Sequence, residues 1–173
     1  MPIIKNGQWT ENPWTNLADE DAMPANGAVI VSLKRFRAER DVLLGRRGPV
    51  GVRLKSDELA KELGADASRF ALIVVELPYF KDGRAFSTAR LLRERYGYKG
   101  EIRASGHILP DQAFFLARCG VNSLEVKPQT RLEPFANAFR DYSVGYQDPR
   151  SSRGTAPSLR FRPSAYAQAQ AAE

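Results

Sequence analysis

Short apolar runs recur along the chain, separated by stretches in which apolar residues follow a helical spacing. Five of the runs are rich in Val, Ile and Leu and have the length of strands, which predicts strands at residues 28–33, 50–54, 70–77, 101–104 and 123–127. The run at 70–77 is the most apolar segment of the chain. Because continuous apolar runs are typical of strands that are buried on both faces, we expect a five-stranded, mainly parallel sheet.

Helical patterns lie between the predicted strands. The clearest covers residues 85–96 and has one apolar stripe, which consists of Ala85, Ala89, Leu92 and Tyr96. Further helices are predicted at residues 34–44, 58–63, 109–120 and 135–142. Strands and helices therefore alternate along the chain.

This alternation predicts an α/β fold of repeated βα units. Two architectures fit it, namely an open doubly wound sheet and a half-barrel-like sheet that is curled by strand twist. The number of predicted strands favours the open sheet, whereas the short turns and similar unit lengths favour the curled one. In both, the loops that follow the strands meet at one edge of the sheet, where α/β proteins usually bind ligands.

The chain divides into an N-terminal hairpin or strap, an α/β domain and a tail, at residues 1–26, 27–147 and 148–173. The hairpin is predicted because residues 3–4 can pair with residues 8–10 across the turn signal Asn6-Gly7. The tail is rich in Pro, Ser, Arg, Ala and Gln and has no apolar periodicity, so we predict that it is disordered.

Composition limits the possible functions. Of the 173 residues, 43% are hydrophobic and 27% are charged, so a globular domain is expected. The net charge of +6 would suit an anionic substrate, nucleic acid or acidic lipid. However, the basic residues are interspersed with acids and form no long run, so we do not expect nucleic acid as a partner.

The chain contains one cysteine, Cys119, and one histidine, His107. These counts exclude an internal disulfide and any metal site built from several cysteines or histidines. Cys119 precedes a helix-ending glycine and is expected to be buried and unreactive. Residues 1–9 lack the features of a signal peptide, and no apolar run has membrane-spanning length, so we expect a cytoplasmic protein without a membrane partner.

Polar side chains gather where predicted strands end and helices begin. Arg84 and Ser87 open the helix after the third strand, and Gln112 opens the helix after the fourth. Together with Arg103 in the fourth strand they form a candidate site for a small oxyanion or carboxylate, which guanidinium groups and helix N-termini bind. Each arginine has a structural alternative, because Arg84 can pair with a nearby carboxylate and Arg103 can pair with Glu101 on the same face.

His107 and Asp111 are the candidate catalytic residues. His107 is the only side chain expected to titrate near neutral pH, and Asp111, four residues later, could orient it. The alternative is that His107 is an ordinary surface residue. Lys127 and Arg131 follow the fifth strand at the same edge of the sheet.

No motif identifies a cofactor. The chain lacks the dinucleotide fingerprint G-x-G-x-x-G, the phosphate-binding loop G-x-x-x-x-G-K-[ST] and the nucleophile elbow G-x-S-x-G. The cofactor, if the protein uses one, is therefore unknown from the sequence.

Several strings in the central part of the chain are specific, namely DGRAFS at 82–87, ARLLR at 89–93, GYKGEIRA at 97–104, DQ at 111–112 and RCG at 118–120. With Phe80 and Gly106 between them, they resemble a bacterial family of unknown function. Members of that family commonly carry a name that links them, as oxidoreductases, to sulfite reduction. Their genes often lie beside those of assimilatory sulfite reductase. The resemblance extends in order from about Ala28 to Tyr146.

The resemblance implies a role in sulfur assimilation, as an accessory protein or an oxidoreductase of assimilatory sulfite reduction. The expected partners are sulfite reductase, its electron donor or sulfite itself. The family supplies no catalytic residues that can be transferred to this chain. Two alternatives stay open: a stand-alone enzyme that acts on a small anionic substrate through His107 or Asp111, and, less favoured, a nucleic-acid-binding module.

Overall fold

The computed structural model describes residues 1–5 and 7–138. In these residues the strands are β1 (Ile3–Lys5), β2 (Gln8–Thr10), β3 (Trp14–Asn16), β4 (Ala28–Ser32), β5 (Val50–Leu54), β6 (Leu72–Leu77), β7 (Glu101–Gly106) and β8 (Ser123–Glu125). The α-helices are α1 (Leu33–Ala38), α2 (Arg40–Gly45), α3 (Arg84–Glu94), α4 (Pro110–Arg118) and α5 (Leu132–Ala138). Two 3₁₀ turns, Ala60–Glu62 and Gly64–Arg69, lie between β5 and β6.

The strands described form one mixed sheet in the order β2-β1-β8-β7-β6-β5-β4-β3. From β3 to β8 the strands are parallel and follow chain order, whereas β1 is antiparallel to both β2 and β8. The prediction of five strands is therefore wrong, because β1, β2 and β3 belong to the same sheet. A doubly wound sheet reverses its strand order at one point, so this order matches the half-barrel-like alternative.

The connection between β2 and β3 shows how strongly the sheet is curled. These two strands form opposite ends of the sheet, yet only residues 11–13 connect them. Eight strands laid flat would place the outer two about 34 Å apart. An extended segment from Thr10 to Trp14 spans at most about 14 Å. The sheet therefore curls until its edges approach each other, and it encloses an interior.

Alternate residues along each strand face the helices or the interior. The helix-facing set forms the main core, in which Val52, Ile73 and Ile102 are fully buried and belong to one cluster with Leu92 of α3. The interior contains a smaller apolar cluster of Ile30, Leu72 and Val74, with Trp14 packed against it. The other inward-facing positions of β5 to β8 are largely polar, which gives this fold a mixed interior.

Three predicted helices differ from the structure or extend past the described residues. The helix predicted at 34–44 is two helices, because Glu39 leaves helical geometry with φ −118° and ψ 25°. The segment predicted as a helix at 58–63 forms 3₁₀ turns, since so short a segment gains few helical hydrogen bonds. The last predicted helix is present as α5 up to Ala138. Its remaining residues and the predicted tail at 148–173 lie outside the described residues.

Within the described part, no helix has both the length and the apolarity that a membrane span requires.

Candidate functional site

Polar side chains line the interior of the curled sheet in two clusters. The amino-end cluster, named for the amino ends of the parallel strands, consists of Lys5, Asn12, Glu101, Arg103 and Ser123. The carboxyl-end cluster consists of Asn16, Arg53, Glu76, Ser105 and Glu125. Strand register places the members from β5 to β8 on one face, opposite to the helices.

The amino-end cluster is saturated with hydrogen bonds. Arg103 is only 2% exposed and donates to Glu101 at 2.8 Å, to Asn12 at 3.0 Å and to Ser123 at 3.4 Å. Glu101 also accepts from Lys5 at 2.9 Å and from Ser123 at 2.7 Å. Burial raises the pKa of the Glu101 carboxyl, but these donors outweigh burial and hold its pKa below the usual range. Of the two roles considered for Arg103, the structure shows the pair with Glu101.

The carboxyl-end cluster is arranged around Arg53. Its Nη1 donates to Glu76 at 3.3 Å and to Ser105 at 3.2 Å, and its Nη2 donates to Asn16 at 2.8 Å and to Glu125 at 3.4 Å. The side chains of Arg53 and Glu76 are 23% and 32% exposed, whereas that of Glu125 is 3% exposed. The cluster is therefore partly open to solvent, and Glu125 is its most buried charge.

Arg84 lies on the surface at the start of α3. Its Nε and Nη2 donate to the two carboxylate oxygens of Asp82 at 2.9 and 2.7 Å, and Nη2 also donates to Ser56 at 3.0 Å. These bonds hold the pKa of the Asp82 carboxyl well below its usual range. Arg84 thus forms the ion pair that the sequence offered as its structural alternative. Ser87, three residues later on the same helix, is exposed.

The loops after β6 and β7 are in contact. Phe80 packs edge-on against the His107 ring with centroids 6.0 Å apart, and its carbonyl accepts from Gln112 Nε2 at 2.6 Å. Gln112 Oε1 accepts from the Leu109 amide at 3.1 Å, so this side chain caps the start of α4. Asp111 is exposed, and within the described residues no hydrogen bond or ion pair joins it to His107.

The six predicted site residues therefore occupy three places. His107, Gln112 and Asp111 lie at the start of α4, Arg84 and Ser87 lie on α3, and Arg103 lies inside the sheet. The structure brings the first group to the carboxyl edge of the sheet, as expected for loops after parallel strands. It does not bring Arg103 to that edge.

A cavity of about 160 Å³ lies at this edge, between the loops that follow β7 and β8. Its polar lining comes from His107, Lys127 and Thr130, and its apolar lining includes Ile108 and Val126. His107 and Lys127 are exposed, so the cavity is accessible from solvent. The β7 end of the cavity depends on a glycine at 106, which has φ +115° and lies so close to the chain of β6 that a Cβ would collide with a carbonyl.

No group of three or more His, Cys, Asp or Glu side chains within the described residues could hold a metal ion. Cys119 is buried, as predicted, and burial raises the pKa of its thiol. A raised pKa keeps the thiol protonated and weakly nucleophilic.

Sequence reasoning missed Arg53, Glu76 and Glu125. A signal for them exists in the strands VGVRL, LIVVEL and SLE, each of which places one charge at an inward-facing position. Charges that face the same side of a sheet on several strands indicate a polar face. The apolar residues around these charges instead predict strands that are buried on both faces.

Comparison with known proteins places the chain among proteins without an assigned activity. None of the curated proteins matches it. A family model described as "Bacterial protein of unknown function (DUF934)" matches residues 51–157, which is more than half of the chain. The match includes all the strings between residues 82 and 120 that carry the resemblance, and it begins later and ends later than that resemblance. The chain therefore belongs to this bacterial family of unknown function.

Proposed function

We propose that the protein is an accessory protein of assimilatory sulfite reduction that binds a small oxyanion, sulfite in particular, in the cavity beside His107. The observation that carries the proposal is the cationic and hydroxyl lining of this cavity, from Lys127 and Thr130. A volume of about 160 Å³ has room for a ligand of a few non-hydrogen atoms.

The charges around the cavity favour an anion at Lys127 over one at either predicted arginine. The guanidinium groups of Arg84 and Arg103 are paired with Asp82 and Glu101. Lys127, by contrast, forms no ion pair with any residue that the structure describes. An ammonium group with three donors and a nearby hydroxyl can replace part of the hydration of an oxyanion.

The link to sulfite reduction comes from the family resemblance and the gene neighbourhood that accompanies it. A binding role is supported over acid–base catalysis because no hydrogen bond or ion pair joins Asp111 to His107 within the described residues. In this proposal the protein delivers or senses sulfite beside sulfite reductase or its electron donor. The enzyme alternative requires His107 to act without that carboxylate.

Titration calorimetry with sulfite tests the proposed site. We expect the full-length protein to bind sulfite and the Lys127→Ala variant to bind it at least about tenfold more weakly, since a hydrogen bond to a charged group contributes about 1.5–3 kcal/mol. The matched control is Lys61→Ala, which removes an exposed lysine on a 3₁₀ turn between β5 and β6. Absence of sulfite binding, or equal binding by the Lys127→Ala variant, contradicts the proposal.

A further inference from the structure

The cavity at the carboxyl edge of the sheet is larger than sulfite requires. Its volume is about 160 Å³, whereas one water molecule needs about 10–15 Å³ of such space. The cavity therefore has room for roughly ten non-hydrogen atoms. Sulfite, with one sulfur and three oxygens, fills less than half of it. The rest of the space can hold a further part of a ligand.

Three aliphatic side chains form the apolar part of the lining, namely those of Ile108, Leu109 and Val126. Ile108 and Val126 are 9% and 3% exposed, and Leu109 is half-buried. A bare oxyanion gains nothing from such a wall, because aliphatic groups cannot donate hydrogen bonds to it. A short alkyl group, by contrast, leaves water when it packs against these side chains. The apolar wall therefore favours an anion that carries an alkyl group.

The polar side chains of the cavity match a group with three oxygens. His107, Lys127 and Thr130 contribute an imidazole N–H, an ammonium and a hydroxyl. None of these three side chains donates a hydrogen bond to another residue in the part of the chain that the structure describes. Their donors are therefore available to a ligand. In a sulfonate three oxygens share one negative charge, which the ammonium group of Lys127 offsets.

We infer that the cavity binds a short-chain alkanesulfonate, whose sulfonate group contacts Lys127 and Thr130 and whose alkyl group packs against Ile108 and Val126. The available volume suits an alkyl chain of about two or three carbons. The inference rests on the proposed function, because it uses the same cavity and the same cation. It adds the class of ligand that the apolar wall selects. Sulfite lacks the alkyl group and uses only the polar part of the cavity.

Titration calorimetry of the full-length protein with methanesulfonate, ethanesulfonate and propanesulfonate tests the inference. Transfer of one methylene from water to an apolar contact raises the affinity about threefold to fourfold. We therefore expect propanesulfonate to bind about tenfold more tightly than methanesulfonate, with ethanesulfonate between them. In a protein that binds sulfite, equal affinities for the three sulfonates, or no binding of them, overturn the inference alone. Failure of sulfite and of all three sulfonates to bind overturns both the inference and the proposed function.

Substitutions assign the effect of chain length to this cavity. Leu109→Ala removes part of the apolar wall and is expected to reduce the ratio of propanesulfonate to methanesulfonate affinity from about tenfold to about threefold or less. Lys127→Ala is expected to weaken propanesulfonate binding at least about tenfold. The matched control is Leu91→Ala, which truncates an exposed leucine on α3 and is expected to keep the ratio. Should Leu109→Ala fail to fold, Val126→Ala supplies the same test, and an unchanged ratio in the folded variant overturns the inference.

Discussion

Arg103 shows how one residue can look functional in the sequence and be structural in the protein. A charge in the middle of a short parallel strand is expensive to bury, so the sequence left a ligand role and an ion pair open. The structure shows the ion pair, with Glu101 Oε1 at 2.8 Å and further bonds to Asn12 and Ser123. These contacts join β7 to β8 and to the connector at 11–13.

We predict that Arg103→Met destabilises the protein by about 3–5 kcal/mol at neutral pH, because it leaves the Glu101 carboxylate without its buried partner. The pKa of Glu101 in the folded state lies below its ordinary value. The charged carboxylate therefore stabilises the wild type fully above about pH 4.3, and this stabilisation is lost as the pH falls through the folded-state pKa. The difference between wild type and variant should therefore narrow in acid.

Urea denaturation at two pH values measures this difference. The control is Lys5→Met, which removes the more exposed partner of Glu101 and should cost less than about 1 kcal/mol. A loss below 1 kcal/mol for Arg103→Met would show that the buried pair contributes little.

At the scale of elements, the string GYKG connects α3 to β7 by specific packing. Gly97 ends the helix with φ +60°, and the hydroxyl of Tyr98 donates to the carbonyls of Phe70 and Glu101 at 3.2 and 3.1 Å. A Cβ at Gly100 would collide with the Tyr98 ring. Packing and backbone geometry therefore explain why glycine occupies both positions of the string. This part of the family resemblance has a structural explanation that needs no catalytic role.

Arg93 reinforces this connection, and its removal gives a prediction for α3. It donates to the carbonyls of Tyr98 at 2.7 Å, Gly100 at 2.8 Å and Gly120 at 2.8 Å. We expect Arg93→Ala to lower the free energy of unfolding by about 2–3 kcal/mol, because three carbonyls lose a charged donor. Arg90→Ala, which removes an exposed pair on the same helix, should cost no more than about 0.5 kcal/mol. Equal effects of the two substitutions in denaturant titrations would refute this assignment.

The sequence predicts the elements that have long apolar patterns, and it does not predict strand β3 near the N-terminus. The stripe of Ala85, Ala89 and Leu92 correctly places the buried face of α3, and the apolar run of β6 is buried as expected. Strand β3 has three residues, too few for a periodic signal, and its place depends on tertiary pairing with β4. Lys127 and Thr130 lie close together in the chain, but His107 joins them in the cavity only because the loops after β7 and β8 are neighbours.

The whole molecule depends on its N-terminal strands. β1 pairs with β8 and β3 pairs with β4, so residues 3–16 cover both edges of the parallel sheet. They also supply Asn12 and Asn16 to the interior clusters. The segment predicted as a hairpin or strap is thus continuous with the sheet, and it holds the curled form in place.

We therefore predict that a chain shortened to residues 27–173 loses cooperative folding. It would expose the edges of β4 and β8 and the interior clusters, and unpaired edges favour aggregation. Circular dichroism during heating measures the transition of the shortened and full-length chains. A cooperative transition of the shortened chain at the full-length Tm would contradict the account of the curled sheet.

The most direct test of the proposed role is growth of a bacterium from which the gene has been deleted, with sulfate, sulfite or sulfide as the only sulfur source. The account predicts that the deletion strain fails on sulfate and sulfite and grows on sulfide. It also predicts that a gene copy with Lys61→Ala restores growth and that a copy with Lys127→Ala does not. Normal growth of the deletion strain on all three sulfur sources would contradict a role in sulfite reduction.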